Sequence, residues 1–323
     1  MVLELLFRAG QVELHPIYTL FDAIILSSAS LLIAYYTFPE SASVLAIALL
    51  TLGAMPLMHQ LYLFEEKKEV ERPGPSASFI ARHFALIKIF AWFFIGLIIS
   101  YSTWFAFLPA QEQFVSIAGM QLSLPGRELL FKQQIDSFRQ IEGLREQIKG
   151  QGLATETKTQ SFCTGRDFWS VFNCIFSNNS FVLGLAVLFS FAYGAGAIFL
   201  IAWNASVIGV IVGMDMLALY SSYAGLGVIG LLFAYVHGLV NAIGFLPHGS
   251  FELTAYFIGS IAGGIISVTL TKKKHSAREF ELIAKDTLIL LFLAYFLLFL
   301  GAMIEADALT SQIIEKGLMG LFG

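Results

Sequence analysis

The chain has 323 residues, of which 57% are hydrophobic and only 13% are charged, and its mean hydropathy is +0.76. These values lie far outside the range of an ordinary soluble domain. A net charge of −4 offers no basic surface for nucleic acid, and no RNA-binding signature occurs, so we expect no nucleic-acid partner. The composition predicts a protein that crosses the lipid bilayer several times.

Seven apolar segments are each near or above the roughly 17–25 residues that a membrane-spanning helix needs. They are about 17–37, 42–64, 83–108, 181–202, 223–245, 248–270 and 284–304. The first begins after His15-Pro16 and lacks a small-residue cleavage site, so we expect no removed signal peptide. The predicted fold is therefore an all-α, polytopic transmembrane helical bundle.

Lysine and arginine concentrate in two connecting segments, 65–82 and 271–285. An excess of these residues marks cytoplasmic loops, so both segments are predicted to be cytoplasmic and the long polar segment 109–180 external. Two loops on one side require an even number of crossings between them. We therefore assign one crossing to 223–245 and interpret 205–222, which contains Asp215, as a re-entrant half-helix.

The external segment carries two further features. Its apolar residues keep helical spacing from Phe131 to Ile148, which predicts an amphipathic helix that packs on the membrane domain or on a partner. Cys163 and Cys174 are the only cysteines, and both fall in this segment. In an oxidising compartment a disulfide between them would contribute about 3 kcal/mol or less, and two free thiols are the alternative.

Two ionisable residues open the apolar helix that follows Pro247. His248 and Glu252 stand one helical turn apart, where free backbone amides favour a carboxylate. The same face continues through Ala255, Gly259 and Gly263. Small residues four apart allow another helix to approach closely, so a tight helix contact is predicted below the polar pair.

The preceding span contains His237 and Asn241, also one turn apart. A short connection would make the two spans an antiparallel pair, and we expect the four polar residues to meet in one cluster. His237, His248 and Glu252 form a permissible zinc set, so zinc is the one cofactor considered. Hydrogen bonding between helices is the alternative, and no residue is assigned a catalytic role.

Three stretches carry a resemblance to a known family. One crossing is followed by a long outer loop; Asn178-Asn179 then lead into a glycine-bearing span that ends in Trp203-Asn204-Ala205-Ser206-Val207-Ile208-Gly209; and Leu246-Pro247-His248-Gly249-Ser250-Phe251-Glu252-Leu253 opens the small-residue helix. The chain thereby resembles the stage II sporulation protein M family over about residues 82–304. The motif positions are Asn178, Asn179, Asn204, Gly209 and Gly249, and Ala205 stands where the family usually has glycine. The asparagines are expected to bracket the span 180–203 at its opposite ends.

The resemblance implies three parts: an N-terminal hairpin and cytoplasmic loop at 1–81, the family domain at 82–304, and a tail at 305–323. It also implies a multi-pass component of the cell membrane, whose relatives in sporulating bacteria work with peptidoglycan-cleaving partners during engulfment of the forespore. This chain has no hydrolase motif.

Our leading hypothesis is therefore a non-enzymatic membrane scaffold that binds other membrane or cell-envelope proteins through the external loop, and a homo-oligomer stays open. The alternatives are a transporter or channel-like protein with a proton- or ion-linked His–Glu site, and a metal-dependent membrane enzyme.

Overall fold

The structure is a computed structural model that describes residues 9–71, 77–117, 120–139, 167–193, 196–243, 246–271 and 277–321. Most of these residues are helical. The helices are α1 (Ala9–Leu14), α2 (Tyr18–Thr37), α3 (Ala42–Glu71), α4 (Ala77–Phe107), α5 (Arg127–Leu130), α6 (Phe168–Tyr193), α7 (Gly196–Tyr223), α8 (Val228–Ile243), α9 (Leu246–Thr271) and α10 (Ala277–Leu321). Two strands, β1 (Gln113–Ile117) and β2 (Met120–Leu124), pair in antiparallel fashion.

Seven of these helices, α2, α3, α4, α6, α7, α9 and α10, are long and apolar enough to cross a membrane. They confirm the predicted all-α polytopic bundle. The helix α8 has 16 residues and therefore extends for only about 24 Å, less than the roughly 30 Å of a bilayer's hydrocarbon layer. It is thus the one long apolar helix in the described residues that is too short to cross upright.

Side-chain hydrogen bonds and close backbone approaches fix the directions of the central helices. Ser27 of α2 donates to Ser100 of α4 at 2.7 Å, and Trp104 Nε1, one turn further along α4, donates to Ser28 at 2.9 Å. The two helices therefore run the same way. In α7, Gly209 faces Tyr101 of α4 and Gly213 faces Phe105, so α7 runs in that direction as well.

The neighbouring helices run the opposite way. The helix α9 is antiparallel to α4: Phe257 packs on Phe94, and Gly264, further along α9, packs on Tyr62 of α3, whose ring lies beside Phe90, one turn earlier in α4. The helix α6 is parallel to α9, because Gly259 and Gly263 face Leu183 and Val187 in the same order. The helix α10 reverses again, since its Phe299 and Tyr295 meet successive turns of α6. The ends of α3 and α9 and the starts of α4 and α10 consequently lie at one end of the bundle. Both lysine-rich segments attach there, and the assignment of that end to the cytoplasm remains a prediction.

The assignment of spans between 181 and 245 was wrong in detail. Residues 205–222 belong to the continuous 28-residue helix α7, and the short helix lies within 223–245 instead. Ser221 and Ser222 do not interrupt α7, and the Ser221 hydroxyl bonds back to the carbonyl oxygen of Ala218 at 3.1 Å. The parity of crossings is nevertheless kept, since α8 and α9 run the same way and α8 does not complete a crossing.

The start of α6 also corrects a boundary. The spanning helix begins at Phe168, so residues 168–180 belong to the membrane bundle and not to the outer segment. Asp167 caps this helix: its carboxylate accepts bonds from the Ser170 hydroxyl at 2.6 Å and from the Ser170 amide at 3.1 Å. These two hydrogen bonds hold the pKa of Asp167 below its usual value, and the bond from the hydroxyl has the larger effect.

The outer segment contains a β-hairpin that the sequence analysis did not predict. Only the first part of the predicted amphipathic helix is described, as a helical stretch at 132–139 that follows α5; residues 140–166 lie outside the described part. Phe131 is fully buried and meets the edges of Tyr101 and Phe105 at the end of α4. The described part of this segment therefore packs on the bundle by its apolar side.

Candidate functional site

The helices α6 and α9 approach closely because glycine removes the side chain at their contact. A Cβ at Gly263 would lie 2.7 Å from the carbonyl oxygen of Val187 and 2.8 Å from the Cβ of Ser190. One turn earlier, Gly259 faces the side chain of Leu183. Ala255 continues this face and is fully buried. Small residues at this spacing permit close packing in a membrane, where van der Waals contact drives association.

This packing brings an amide against a carboxylate within the apolar interior. Asn179 Nδ2 of α6 donates to Glu252 Oε1 of α9 at 2.5 Å. Asn179 is buried, with 7% of its surface exposed, and it is the middle residue of its 23-residue spanning segment. Glu252 is half-buried. A hydrogen bond to a carboxylate in such surroundings is stronger than one in water.

The helix α10 adds a second carboxyl group to the same place. The side chains of Glu252 and Glu305 are close enough to hydrogen-bond, and their charges repel. Tyr256, one turn after Glu252, is buried and lies within the field of both carboxylates. Two neighbouring carboxyl groups offer oxygen atoms that a shared proton or a bound cation can bridge. We call Asn179, Glu252, Tyr256 and Glu305 the carboxyl cluster.

The other predicted polar residues lie between α7 and α8. His237 Nδ1 is 3.2 Å from the Tyr223 hydroxyl, and Asn241 Nδ2 donates to Asp215 Oδ2 at 3.4 Å. Both contacts are exposed. The expected antiparallel pairing of α8 with α9 was wrong, because the two helices run in the same direction and hardly touch. His237 and Asn241 therefore have other partners than Glu252.

The zinc hypothesis depends on His248, whose side chain lies outside the described part of the chain. Among the side chains that are described, no group of three or more His, Cys, Asp or Glu could hold a metal ion. A zinc site at His237, His248 and Glu252 thus stays a prediction. Gly249, in the same turn as His248, has open space where a Cβ would lie.

The family-motif asparagines do not bracket a span, which corrects that expectation. Asn178 and Asn179 lie midway along α6, and Asn204 lies inside α7, where its amide donates to the carbonyl oxygen of Leu200 at 2.8 Å. Asn178 is exposed and only its neighbour Asn179 turns inward. Gly209 lies further along α7 at the contact with α4, where a Cβ would lie 2.7 Å from that of Tyr101.

Two buried or clustered carboxylates were not predicted as candidate site residues from the sequence. Glu305 was assigned to the C-terminal tail, yet α10 runs without interruption from Ala277 to Leu321 and carries it into the bundle. Asp22 of α2 is 1% exposed, and neither of its carboxylate oxygens has a hydrogen-bond partner among the described residues. The available signal was the same for both: an ionisable residue within or next to an apolar helix is a functional suspect.

The disulfide cannot be placed because Cys163 lies outside the described residues. Cys174 lies in the second turn of α6, on the outer side of the carboxyl cluster. The bond between the two cysteines therefore stays a prediction.

A family model described as stage II sporulation protein M matches residues 84–307, which is more than half of the chain. Neither the comparison with curated proteins nor that with solved structures finds a match. The matched range contains the α6–α9 contact and the whole carboxyl cluster, and it ends just after Glu305. The chain is thus a multi-pass membrane protein that belongs to the stage II sporulation protein M family.

Proposed function

We propose that this protein is a membrane assembly component whose outer segment binds another membrane or cell-envelope protein. The observation that carries this proposal is the anchoring of that segment. Tyr35 donates to Glu112 at 2.6 Å, Tyr36 donates to the carbonyl oxygen of Ser123 at 2.8 Å, and Arg127 donates to that of Leu108 at 2.9 Å. A segment held this firmly presents a fixed surface.

The hairpin offers an edge suited to such a partner. Among the described residues, β1 pairs with β2 alone, so its other edge has free backbone groups that can accept an added strand. Phe114 of β1 is 71% exposed. Membership of the family and the lack of a hydrolase motif in the sequence also support a binding role over a catalytic one.

Photo-crosslinking in the native membrane tests this function. A photoreactive amino acid at position 114 should give discrete crosslinked proteins that are absent when it replaces Phe84, an exposed residue at the opposite end of the bundle. Crosslinks only to lipid at position 114, or the same products from both positions, would contradict the proposal.

The sidedness of the segments has a separate test. Labelling of cysteines introduced at 125 and 274 should find position 125 outside the cell membrane and position 274 on its cytoplasmic side.

A second candidate function follows from the carboxyl cluster, whose paired carboxylates suit proton- or cation-linked transport. Proteoliposomes containing the purified chain should then show proton or monovalent cation flux. Glu252→Gln and Glu305→Gln should abolish it without loss of folded protein, whereas Asp215→Asn, which changes a half-buried carboxylate outside the carboxyl cluster, should not. No flux in the wild type above that of empty liposomes would refute transport of these ions.

A further inference from the structure

An open groove of about 690 Å³ follows one face of α10 in its first four turns. It lies at the end of the bundle where α3 and α9 finish, and its volume is within the range of ligand pockets. The lining side chains that matter here are Glu281, Lys285, Leu288, Ile289 and Phe292. They are spaced so that all of them share one side of the helix.

The chemistry of the groove changes along the helix axis. Glu281 is nearest the start of the helix, Lys285 follows one turn further into the bundle, and the remaining lining is apolar. Leu288 is 67% exposed and Phe292 is 76% exposed. No ion pair joins Lys285 to any other described residue. The lysine and the carboxylate are thus both available to a ligand.

A phospholipid with an amino headgroup has the same order of groups. Its ammonium lies toward water, its phosphate lies deeper, and its hydrocarbon chains lie deepest. Because one helical turn rises by about 5.4 Å, Glu281 and Lys285 can engage neighbouring groups of one headgroup. The apolar part of the groove is continuous with the lipid-facing surface of a spanning helix, which places the occupant in the adjacent leaflet.

We propose that this groove binds a zwitterionic phospholipid, with its phosphate on Lys285, its ammonium on Glu281 and a chain along Leu288, Ile289 and Phe292. The carboxylate provides the selectivity. It repels a second negative charge, so an anionic lipid without an amine fits less well than an aminophospholipid. The long lysine side chain can extend to the headgroup level while its stem stays on the apolar surface.

The chain contains a natural control in α4, which starts at the same end of the bundle. Lys88 is one turn after Phe84, and its ammonium lies 5.1 Å from the centre of that ring. This pair repeats the spacing of Glu281 and Lys285 without a carboxylate. Lys88 can therefore attract a phosphate and has no neighbour one turn earlier that selects an amine.

The test is lipid retention by the full chain, measured by native mass spectrometry from mixed micelles with equal phosphatidylethanolamine and phosphatidylglycerol. The wild type should retain phosphatidylethanolamine in preference, by about fivefold if one ion pair contributes about 1 kcal/mol. Glu281→Gln should bring the ratio near one, and Lys285→Gln should lower retention of both lipids. Lys88→Gln should leave the ratio unchanged.

Equal retention of the two lipids by the wild type, or a preference for phosphatidylglycerol, would overturn the proposal without reference to any variant. A preference that survives Glu281→Gln in protein with an unchanged melting temperature would overturn it too. A loss of lipid retention in Lys88→Gln as large as that in Lys285→Gln would show that the lipid is adventitious and does not occupy the groove.

Discussion

Two contacts in this bundle pair an asparagine with a carboxylate, and their surroundings differ sharply. Asn179 bonds Glu252 at 2.5 Å between α6 and α9, with α10 alongside. Asn241 bonds Asp215 at 3.4 Å between α7 and α8, and that pair is exposed. The residue types are nearly the same. The number of helices packed around each pair decides how much the hydrogen bond can contribute to the stability of the protein.

Burial determines how much each polar pair contributes to stability. In an apolar interior an amide or carboxylate that loses its partner retains the full desolvation cost, whereas Asn241, in the last turn of α8, can exchange its partner for water or a lipid headgroup. The outward face of α8 is exposed along its length, with Val228 84% exposed and Leu232 62% exposed. The α6–α9–α10 contact should therefore be the sensitive region, and the α7–α8 contact the tolerant one.

The largest effect is expected at the glycine contact that makes the buried pair possible. Gly263→Val should destabilise the protein by about 3 kcal/mol or more, because its Cβ would clash with the backbone of α6 at Val187. Gly184→Ala is the control: nothing lies within 4 Å of its Cβ position, so it should be neutral or stabilising by up to about 1 kcal/mol. Unfolding in mixed micelles measures both, and equal effects would refute the close contact.

The next effect concerns the start of α6. If Cys163 and Cys174 are joined, reduction should destabilise the protein by about 3 kcal/mol or less, by the entropy of closing so short a loop. Mass spectrometry of non-reduced peptides detects the bond directly. Two alkylatable thiols in freshly isolated protein would count against the bond. The variant with both Cys163→Ser and Cys174→Ser is the control, because a reductant should not change its stability.

The two asparagines allow the comparison to be made with one kind of substitution. Asn179→Leu should cost about 1–3 kcal/mol, because it leaves the Glu252 carboxylate without its amide donor in the interior. Asn241→Leu should cost less than about 0.5 kcal/mol, because the Asp215 contact is long and exposed. Thermal unfolding of both variants in the same detergent gives the two values, and a larger cost at position 241 would reverse our ranking of the regions.

The smallest effect is expected for the histidine of α8. His237→Phe removes one exposed 3.2 Å contact with Tyr223 and keeps a ring against it, so the change in stability should be within about 0.5 kcal/mol. Zinc content should be measured on the same sample. If the wild type contains stoichiometric zinc and this variant does not, the predicted zinc site is supported. The α7–α8 contact would then have a functional role that its packing does not indicate.

The class of the protein, the number of its helices that are long enough to cross a membrane, and its family could all be predicted from the sequence. Long apolar runs give the class and the helix count because a bilayer imposes a minimum helix length and requires every backbone group to be bonded internally. The family rests on the motif stretches at 178–179, 203–209 and 246–253. Local spacing also singled out Glu252 and the face that carries Gly259 and Gly263, and the family resemblance singled out Asn179 as a motif position. These are properties of single helices, which periodicity and composition can report.

The contacts between residues of different helices could not be predicted from the sequence. Hydropathy did not distinguish the crossing helix α7 from the short helix α8, because both are apolar and the interruptions at Asp215 and Ser221 are satisfied within or beside the helix. The partners of Glu252 are Asn179, 73 positions earlier, and Glu305 on the last helix. Contacts between such distant positions depend on the order and direction in which helices pack, and the packing surfaces of several helices together, not the periodicity of any one, set that arrangement.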